Sequence, residues 1–249
     1  MRADFQKGWD AYVNKDHPTS LLEWQPLAEQ GDSAAQYNLG LMYYNGQGVT
    51  QDYKAAVKWF SLATEQGQAN AQAALGTMYQ KGLGVAQDYK AAVKWYTLAA
   101  EQGYANAQGV LGAMYHKGLG VAQDYKTAVK WYTLAAEQGY ANAQGALGTM
   151  YHQGLGVAQD YKTAVKWYTL AAEQGYANAH AILGIMHNKG QGVAQDYAYA
   201  YMWADIAAAS GNEAAIKLRD TLATEMTSAD ISAAQALARE CISKEYKGC

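Results

Sequence analysis

The amino-acid sequence predicts an all-α solenoid built from stacked antiparallel helix pairs. The first observation is a period of 36 residues, which identical residues mark through most of the chain. The second is that each period contains two stretches with apolar residues at helical spacing. The third is that segments 104–139 and 140–175 differ at only three positions. Because one helix pair cannot bury its apolar faces alone, neighbouring pairs must stack against one another.

Segment 104–139 illustrates the expected fold of one unit. Its apolar residues predict a first helix, called helix A, over 105–117. Gly118 follows that helix and suits a left-handed C-cap. Asp124 is expected to cap a second helix, called helix B, over 125–138, because its carboxylate can accept backbone N–H groups of the first turn.

Every helix A of a full unit carries a glycine at its centre, where Gly costs about 1 kcal/mol relative to Ala. The repetition of this cost indicates that helix B approaches closely at that point. We expect the approach to occur through a small residue of helix B, an alanine in every unit. The expected pairs are Gly40 with Ala56, Gly76 with Ala92, Gly112 with Ala128, Gly148 with Ala164 and Gly184 with Ala200.

The repeated unit has a specific sequence pattern. It reads Ala-x-Ala-Gln-x-x-Leu-Gly-x-Met-Tyr-x-x-Gly-x-Gly-Val-x-Gln-Asp-Tyr-x-x-Ala-x-x-Trp-Tyr-x-x-Ala-Ala-Glu-Gln-Gly. This pattern closely resembles the Sel-one-like repeat, a relative of the tetratricopeptide repeat, over about residues 32–211. The resemblance implies roughly 14 helices in a right-handed superhelical solenoid, and it implies a protein-binding scaffold.

The chain is expected to have a divergent repeat at its start and a capping helix pair at its end. Residues 1–31 keep the helix-B frame from Asp16 onwards, and Pro18 fits the first helical turn. Residues 212–249 are expected to form one more helix A over 212–224 and a closing helix over 228–246, capped by Thr227 or Ser228. The five full units between them are 32–67, 68–103, 104–139, 140–175 and 176–211.

Composition and motifs argue against several classes of function. The formal net charge of −3 without a basic block argues against nucleic-acid binding, and no apolar run approaches the 18 residues of a membrane span. The Gly-x-Gly-Val loops follow a helix instead of a strand, so they are interpreted as turns and not as phosphate-binding loops. No serine is followed by Lys three residues later, as a serine penicillin enzyme requires.

We therefore predict no catalytic residue, no cofactor and no metal site. The histidines lack the neighbouring carboxylates or thiolates that a metal site needs. A column of lysines on the B helices is interpreted as a solvated outer face, with binding of an acidic partner as the alternative. We expect a monomer. The lysines are Lys54, Lys58, Lys90, Lys94, Lys126, Lys130, Lys162 and Lys166.

In tetratricopeptide-like stacks the A helices line a concave groove, which is where we expect a protein or an extended peptide to bind. Asparagine amides recur along this face and can pair with a peptide backbone, because an amide both donates and accepts. Tyr37 and Tyr44 are expected to anchor an apolar side chain. The alternative is that the asparagines only cap the A helices and face solvent. The predicted groove residues are Tyr37, Leu41, Tyr44, Asn70, Thr77, Asn106, His116, Asn142, His152 and Asn178.

Both cysteines, Cys241 and Cys249, lie in the last nine residues. Their even number and short spacing favour a disulfide over two free thiols, and a disulfide implies an oxidising compartment. The start at Met1 and Arg2, followed by Ala-Asp-Phe, is similar to bacterial Sel-one-like repeat proteins just after a cleaved signal peptide. We therefore expect a periplasmic or secreted bacterial protein, with a cytoplasmic protein as the alternative.

Three functions stay open at this point. The leading hypothesis is a non-enzymatic adaptor that binds a protein or peptide in the groove. The second is an accessory protein that acts on the cell wall or binds penicillin, as some relatives of this repeat class do. The third is a structural spacer whose repeats matter only for length.

Overall fold

The structure is a computed structural model that describes residues 3–249. Within those residues it contains fourteen α-helices and no strand. The chain divides into two compact units, the first ending at Gln123 and the second beginning at Asp124. Consecutive helices pack against one another in each unit, except that the last helix packs against the twelfth, so the predicted all-α fold of antiparallel helix pairs is confirmed. Met1 and Arg2, which precede the predicted mature start, lie outside the described residues.

The first unit contains seven helices. The N-terminal pair is α1 with α2, the next pairs are α3 with α4 and α5 with α6, and α7 packs against α6. Their bounds are α1 Phe5–Val13, α2 His17–Glu29, α3 Ser33–Asn45, α4 Tyr53–Glu65, α5 Ala69–Lys81, α6 Tyr89–Glu101 and α7 Ala105–Lys117.

The second unit also contains seven helices. Helix α8 packs against α9, the pairs are α9 with α10 and α11 with α12, and both α13 and α14 pack against α12. Their bounds are α8 Tyr125–Glu137, α9 Ala141–Gln153, α10 Tyr161–Ala172, α11 Ala177–Lys189, α12 Tyr197–Ala209, α13 Glu213–Glu225 and α14 Ser228–Ser243.

The helix bounds follow the capping signals of the sequence. Asp88 caps α6 with Oδ1, which accepts hydrogen bonds from the backbone N–H groups of Lys90 at 2.8 Å and Ala91 at 3.0 Å. Thr227 caps α14, which ends at Ser243 and is therefore shorter than the predicted helix over 228–246. The chain leaves the helix there because Glu245 and Tyr246 adopt left-handed backbone conformations.

Three central glycines of the A helices, Gly40, Gly76 and Gly148, pack against aromatic rings and not, as predicted, against alanines, whereas Gly184 meets the backbone of Ala200 as predicted. A Cβ at Gly40 would lie 2.6 Å from the ring of Phe60, and a Cβ at Gly148 would lie 2.9 Å from the ring of Tyr168. Gly76 faces Tyr96 in the same way. Each ring is one helical turn beyond the expected alanine, so the glycine makes room for a large buried side chain of helix B.

Buried glutamines connect each repeat to the next. The side chain of Gln36 is 4% exposed, and its Nε2 donates to the carbonyl oxygen of Ala28 at 3.1 Å. Its Oε1 accepts from Nε2 of Gln66 at 3.0 Å. In the second unit Gln144 bonds in the same way to Ala136 O and Gln174 Nε2. These bonds satisfy buried polar groups, and they tie each helix A to the ends of two B helices.

The loop between helix A and helix B is a second inter-repeat contact. Gly118 and Gly120 both have positive φ, 68° and 72°. Gly120 lies directly on the backbone of Tyr89 at the start of α6, where a Cβ would overlap the Tyr89 carbonyl and approach the backbone nitrogen of Lys90 to 2.8 Å. Glycine is therefore required at this position both for its backbone conformation and for the closeness of the neighbouring repeat.

Candidate functional site: two pockets on the A helices

The first unit carries a pocket of about 210 Å³, which we call the first-unit pocket. It brings together three of the predicted groove residues, Leu41, Tyr44 and Thr77. Its remaining lining was not predicted as part of the site. The full lining consists of Leu41, Tyr44, Phe60, Ala74, Thr77 and Met78.

The two predicted aromatic anchors, Tyr37 and Tyr44, contribute to the packing of the first unit. The ring of Tyr37 lies 5.9 Å from the ring of Phe60, and the ring of Tyr44 lies 5.6 Å from that of Tyr53. Both tyrosines are half-buried and pack against the core cluster around Phe60. Burial raises the pKa of the Tyr37 hydroxyl. Neither side chain points fully away from the core, so each contributes to packing as well as to the exposed face.

The first-unit pocket is apolar because two of its positions hold hydrocarbon side chains where the next repeat has a hydrogen-bonded pair. In the next repeat, Thr77 Oγ1 and the Tyr96 hydroxyl lie 2.9 Å apart and form a hydrogen bond. One repeat earlier the same two positions hold Leu41 and Phe60. Replacing this hydroxyl pair by two hydrocarbon side chains leaves a recess that favours an apolar group.

The second unit carries a larger pocket of about 310 Å³, which we call the second-unit pocket. It contains two predicted groove residues, Asn142 and Asn178, and a third asparagine, Asn212, at the repeat position of Tyr176. The full lining consists of Asn142, Gly145, Ala146, Thr149, Tyr168, Tyr176, Asn178, Ala181, Ile182, Ile185, Asn212 and Ala214.

The asparagines of this pocket do not all act as helix caps. Asn142 and Asn178 are exposed second residues of α9 and α11, and within residues 3–249 their side chains make no hydrogen bond. The N-cap residues of those helices are Tyr140 and Tyr176, which make no side-chain cap bond. Asn212 does cap a helix, since its Oδ1 accepts from Ala215 N at 3.0 Å. Two amides at the rim therefore have donors and acceptors available for a ligand.

Two tyrosines form the floor of the second-unit pocket. The hydroxyl of Tyr168 donates to Thr149 Oγ1 at 2.9 Å, and that oxygen in turn donates to Gly145 O at 3.0 Å. The ring of Tyr176 covers Gly145, where a Cβ would lie 2.6 Å from Cε1. Burial is the main cause that raises the pKa of Tyr168. The floor is thus rigid and uncharged.

Five predicted groove residues do not line either pocket: Tyr37, which packs against Phe60, and four others. Asn70 and Asn106 are exposed at the second positions of α5 and α7. His116 is half-buried, and burial lowers its pKa, followed by the nearby charge of Lys117. The ring of His152 lies 5.2 Å from the ring of Tyr161 at the start of α10. Both histidines therefore lie in the last turn of their helices, next to the loop that leads to helix B.

The lysine column of the B helices is exposed, as a solvated face requires. Four of its members lie with Nζ over the ring of the following tryptophan, from 5.2 Å for Lys58 to 5.6 Å for Lys166. Within residues 3–249 no residue of the column forms a salt bridge. Such exposed cation–π contacts contribute about 0.5–1 kcal/mol each.

The part of the chain that the structure describes contains neither a membrane-spanning helix nor a metal-binding cluster. None of its helices has both the length and the hydropathy to cross a membrane. The same residues contain no group of three or more His, Cys, Asp or Glu side chains placed to hold a metal ion.

Comparison with known proteins places the chain in a family. The family model of the Sel1 repeat matches residues 33–68, 69–104, 105–140, 141–176 and 177–212, which is most of the chain. The chain therefore belongs to the Sel1 repeat family, as the sequence pattern predicted, and proteins of this class are generally scaffolds for protein interaction. No curated protein matches the chain at a significant level.

Solved structures agree with this assignment. A Sel1 repeat protein from Oxalobacter formigenes is 36% identical, with a TM-score of 0.79 over 85% of this chain and 84% of that one. The immunity protein Pa5087 from Pseudomonas aeruginosa is 19% identical, with a TM-score of 0.52 over 86% of this chain and 85% of that one. The protein PA5086 of the same organism is 20% identical, with the same TM-score and the same coverage. At these low identities the two Pseudomonas proteins share only the fold.

Proposed function

We propose that the protein is a non-enzymatic adaptor whose A-helix faces bind an extended segment of a partner protein. The observation that carries the proposal is the first-unit pocket. A recess of about 210 Å³ with no charged lining residue suits one aliphatic or aromatic side chain of a peptide. The asparagines of the second-unit pocket support the same reading in their own unit, because they suit a peptide backbone.

The peptide anchor is expected to enter between Leu41 and Ala74, with Phe60 as the floor. Phe60 is 1% exposed and cannot move aside without disturbing the core, so the recess is preformed. A preformed pocket reduces the ordering cost of binding. Buried anchors of this kind contribute about 2 kcal/mol or more to binding, whereas a single neutral hydrogen bond contributes about 0.5–1.5 kcal/mol.

We propose a periplasmic or secreted location and a monomeric state. The disulfide between Cys241 and Cys249 supports the location, because such bonds persist in oxidising compartments. Fractionation of cells that express the complete gene tests the location, and sedimentation equilibrium tests the monomer. Recovery of the chain with cytoplasmic markers would contradict the proposed compartment.

The experiment begins with a displayed library of random peptides selected on the immobilised protein. Selected peptides are then titrated by calorimetry against Ala74→Ile, which fills the first-unit pocket. The chain itself carries Ile182 at the same repeat position, so isoleucine fits helix A. Filling the pocket should weaken binding about thirtyfold, which corresponds to the loss of an anchor. Lys90→Ala on the exposed face of helix B is the matched control and should leave the affinity unchanged.

The possible results separate the hypotheses. Loss of binding in the lysine variant but not in Ala74→Ile would show that the partner uses the B helices and would refute the proposed site. Failure to select any peptide would favour the spacer. A covalent adduct with labelled penicillin would favour the cell-wall hypothesis and would contradict a purely non-enzymatic adaptor.

A further inference from the structure

We infer that residues 244–249 form a redox-controlled cap, which the disulfide between Cys241 and Cys249 holds over the stacked side chains of His180 and Trp203. The two sulfur atoms are 2.12 Å apart, and the bond closes the tail back onto α14. Reduction of this bond releases the cap and exposes the histidine–tryptophan pair. This device is independent of the peptide-binding proposal, because its residues lie outside both pockets.

The cap touches the body of the second unit through the ring of Tyr246, through Cys249, which packs on the same core cluster, and through Gly248 N, which donates to Glu173 Oε1 at 3.5 Å. The ring centroid of Tyr246 lies 4.8 Å from that of His180. His180 is 2% exposed, and its ring stacks on Trp203 at 5.4 Å with an interplanar angle of 13°. Its Nε2 donates to the carbonyl oxygen of Ala172 at 3.0 Å. The histidine is thus enclosed between a fixed tryptophan and a tyrosine that belongs to the tail.

His180 departs from the repeat pattern at the place where the cap lies. The same position holds a buried glutamine in every preceding full repeat, and that of α9, Gln144, accepts a hydrogen bond from Gln174. In the last repeat the two glutamine positions hold His180 and Ser210. The imidazole ring of His180 stands where the other repeats have a glutamine amide, and Ser210 stands where they have its glutamine partner. The flat imidazole ring provides a surface on which Tyr246 packs. The repeat therefore loses its glutamine pair at the place where Tyr246 of the cap packs.

The backbone of the cap is held in a conformation that non-glycine residues avoid. Glu245 has φ 53° and Tyr246 has φ 66°. Such residues persist only where the surrounding structure fixes them. Here the fixing contacts are the disulfide, the hydrogen bond from Tyr246 N to Cys241 O at 2.9 Å and the packing of the tyrosine ring. Loss of the disulfide removes the covalent contact and favours release of the tail.

The chemistry of release is thiol–disulfide exchange with an external dithiol. Cys241 is 3% exposed whereas Cys249 is partly exposed, so the attacking thiolate reaches the Cys249 sulfur. A mixed disulfide forms on Cys249 and Cys241 leaves as a thiolate, which takes up a proton. The second thiol of the reductant then displaces Cys249, so two electrons and two protons pass to the protein while the dithiol becomes a disulfide.

The test measures the reaction of individual histidines with diethyl pyrocarbonate by peptide mass spectrometry. In the oxidised protein His180 should react slowly, and after reduction with dithiothreitol its rate should rise about tenfold or more, because the disulfide no longer restrains the tail from moving away from the histidine. The rate of His152, which is half-buried and outside the cap, is the internal reference. An unchanged His180 rate after reduction would overturn the inference.

Two variants keep the test valid if reduction alters more than the tail. Tyr246→Ala with the disulfide intact should expose His180, whereas Tyr246→Phe keeps the ring and should leave it protected. Amide exchange of α14 is followed in parallel. If α14 as a whole exchanges after reduction, the tail is not a separate cap and the inference fails. Retained α14 protection together with a reactive His180 supports it.

Discussion

Replacing Gly120 by alanine separates the two reasons for glycine in the loop between helices A and B. Gly118 and Gly120 lie two residues apart with nearly equal φ values of 68° and 72°. An added Cβ at Gly118 would meet Gln123 at 3.4 Å, an ordinary contact, whereas at Gly120 it would overlap the backbone of Tyr89. Gly118→Ala is therefore a matched control that shares the backbone strain and lacks the clash.

The expected magnitudes follow from these contacts. Alanine in a left-handed conformation costs about 1–2 kcal/mol, and both variants incur this cost. Overpacking adds about 1–3 kcal/mol at Gly120 alone, because the atoms it meets belong to the backbone and cannot rotate away. Gly118→Ala should thus lower the free energy of unfolding by about 1–2 kcal/mol, and Gly120→Ala by about 2–5 kcal/mol.

Urea unfolding followed by circular dichroism measures both variants. Since the contact of Gly120 joins two repeats, its loss should also weaken their coupling and broaden the transition, whereas Gly118→Ala should keep the wild-type slope. Equal destabilisation by the two variants would show that backbone strain explains both positions and that the inter-repeat contact contributes nothing. A larger effect at Gly118 would refute the reasoning outright.

Three further predictions concern the tyrosines and the pockets. Tyr168→Phe should lower the free energy of unfolding by about 0.5–1.5 kcal/mol in urea unfolding, and by less in a Thr149→Val background, because only their mutual hydrogen bond is lost. Burial raises the pKa of Tyr132 to about 12. Since the unfolded value is about 10, the free energy of unfolding should fall as the pH rises from 10 to 12, and urea unfolding of Tyr132→Phe should show a weaker fall. In calorimetry, each variant is titrated with a selected peptide that binds the pocket of its own unit. Tyr44→Ala should weaken binding more than Asn142→Ala does, and a larger effect of Asn142→Ala would contradict the role of Tyr44 as an anchor.

The repeat pattern predicted the helices closely because local signals agree with it. The helix over 105–117 and the aspartate cap at Asp124 lie where the sequence placed them. The partner of the central glycine was wrong because side chains on a helix point towards its N-terminus. The ring of Phe60 therefore reaches back over the turn that contains Ala56 and covers the glycine. Opposite Gly184 the helix-B position that holds Phe60 in the first full repeat is Ala204. There the backbone of α12 approaches the glycine as expected.

The site was harder to predict than the fold because a pocket depends on both helices of a pair. Periodicity identified the A-helix face, and it located Leu41 and Thr77 in the first-unit pocket. It did not identify Phe60, because the sequence does not show how far a helix-B side chain reaches between two A helices. The partial burial of Tyr37 and Tyr44 was missed for the same reason, because a position opposite the core in one helix pair can pack against the core of the next.

Differences between near-identical repeats indicate where the protein is specialised. In two of the five full repeats a hydroxyl pair joins helix A to helix B, Thr77 with Tyr96 and Thr149 with Tyr168. Both partners change together at Leu41 and Phe60, which removes a hydrogen bond worth about 0.5–1.5 kcal/mol and leaves an open apolar recess. Phenylalanine occurs at this helix-B position in the first full repeat alone, since the next three repeats hold tyrosine there and the last holds alanine. The exchange is explained if a side chain from outside fills the recess.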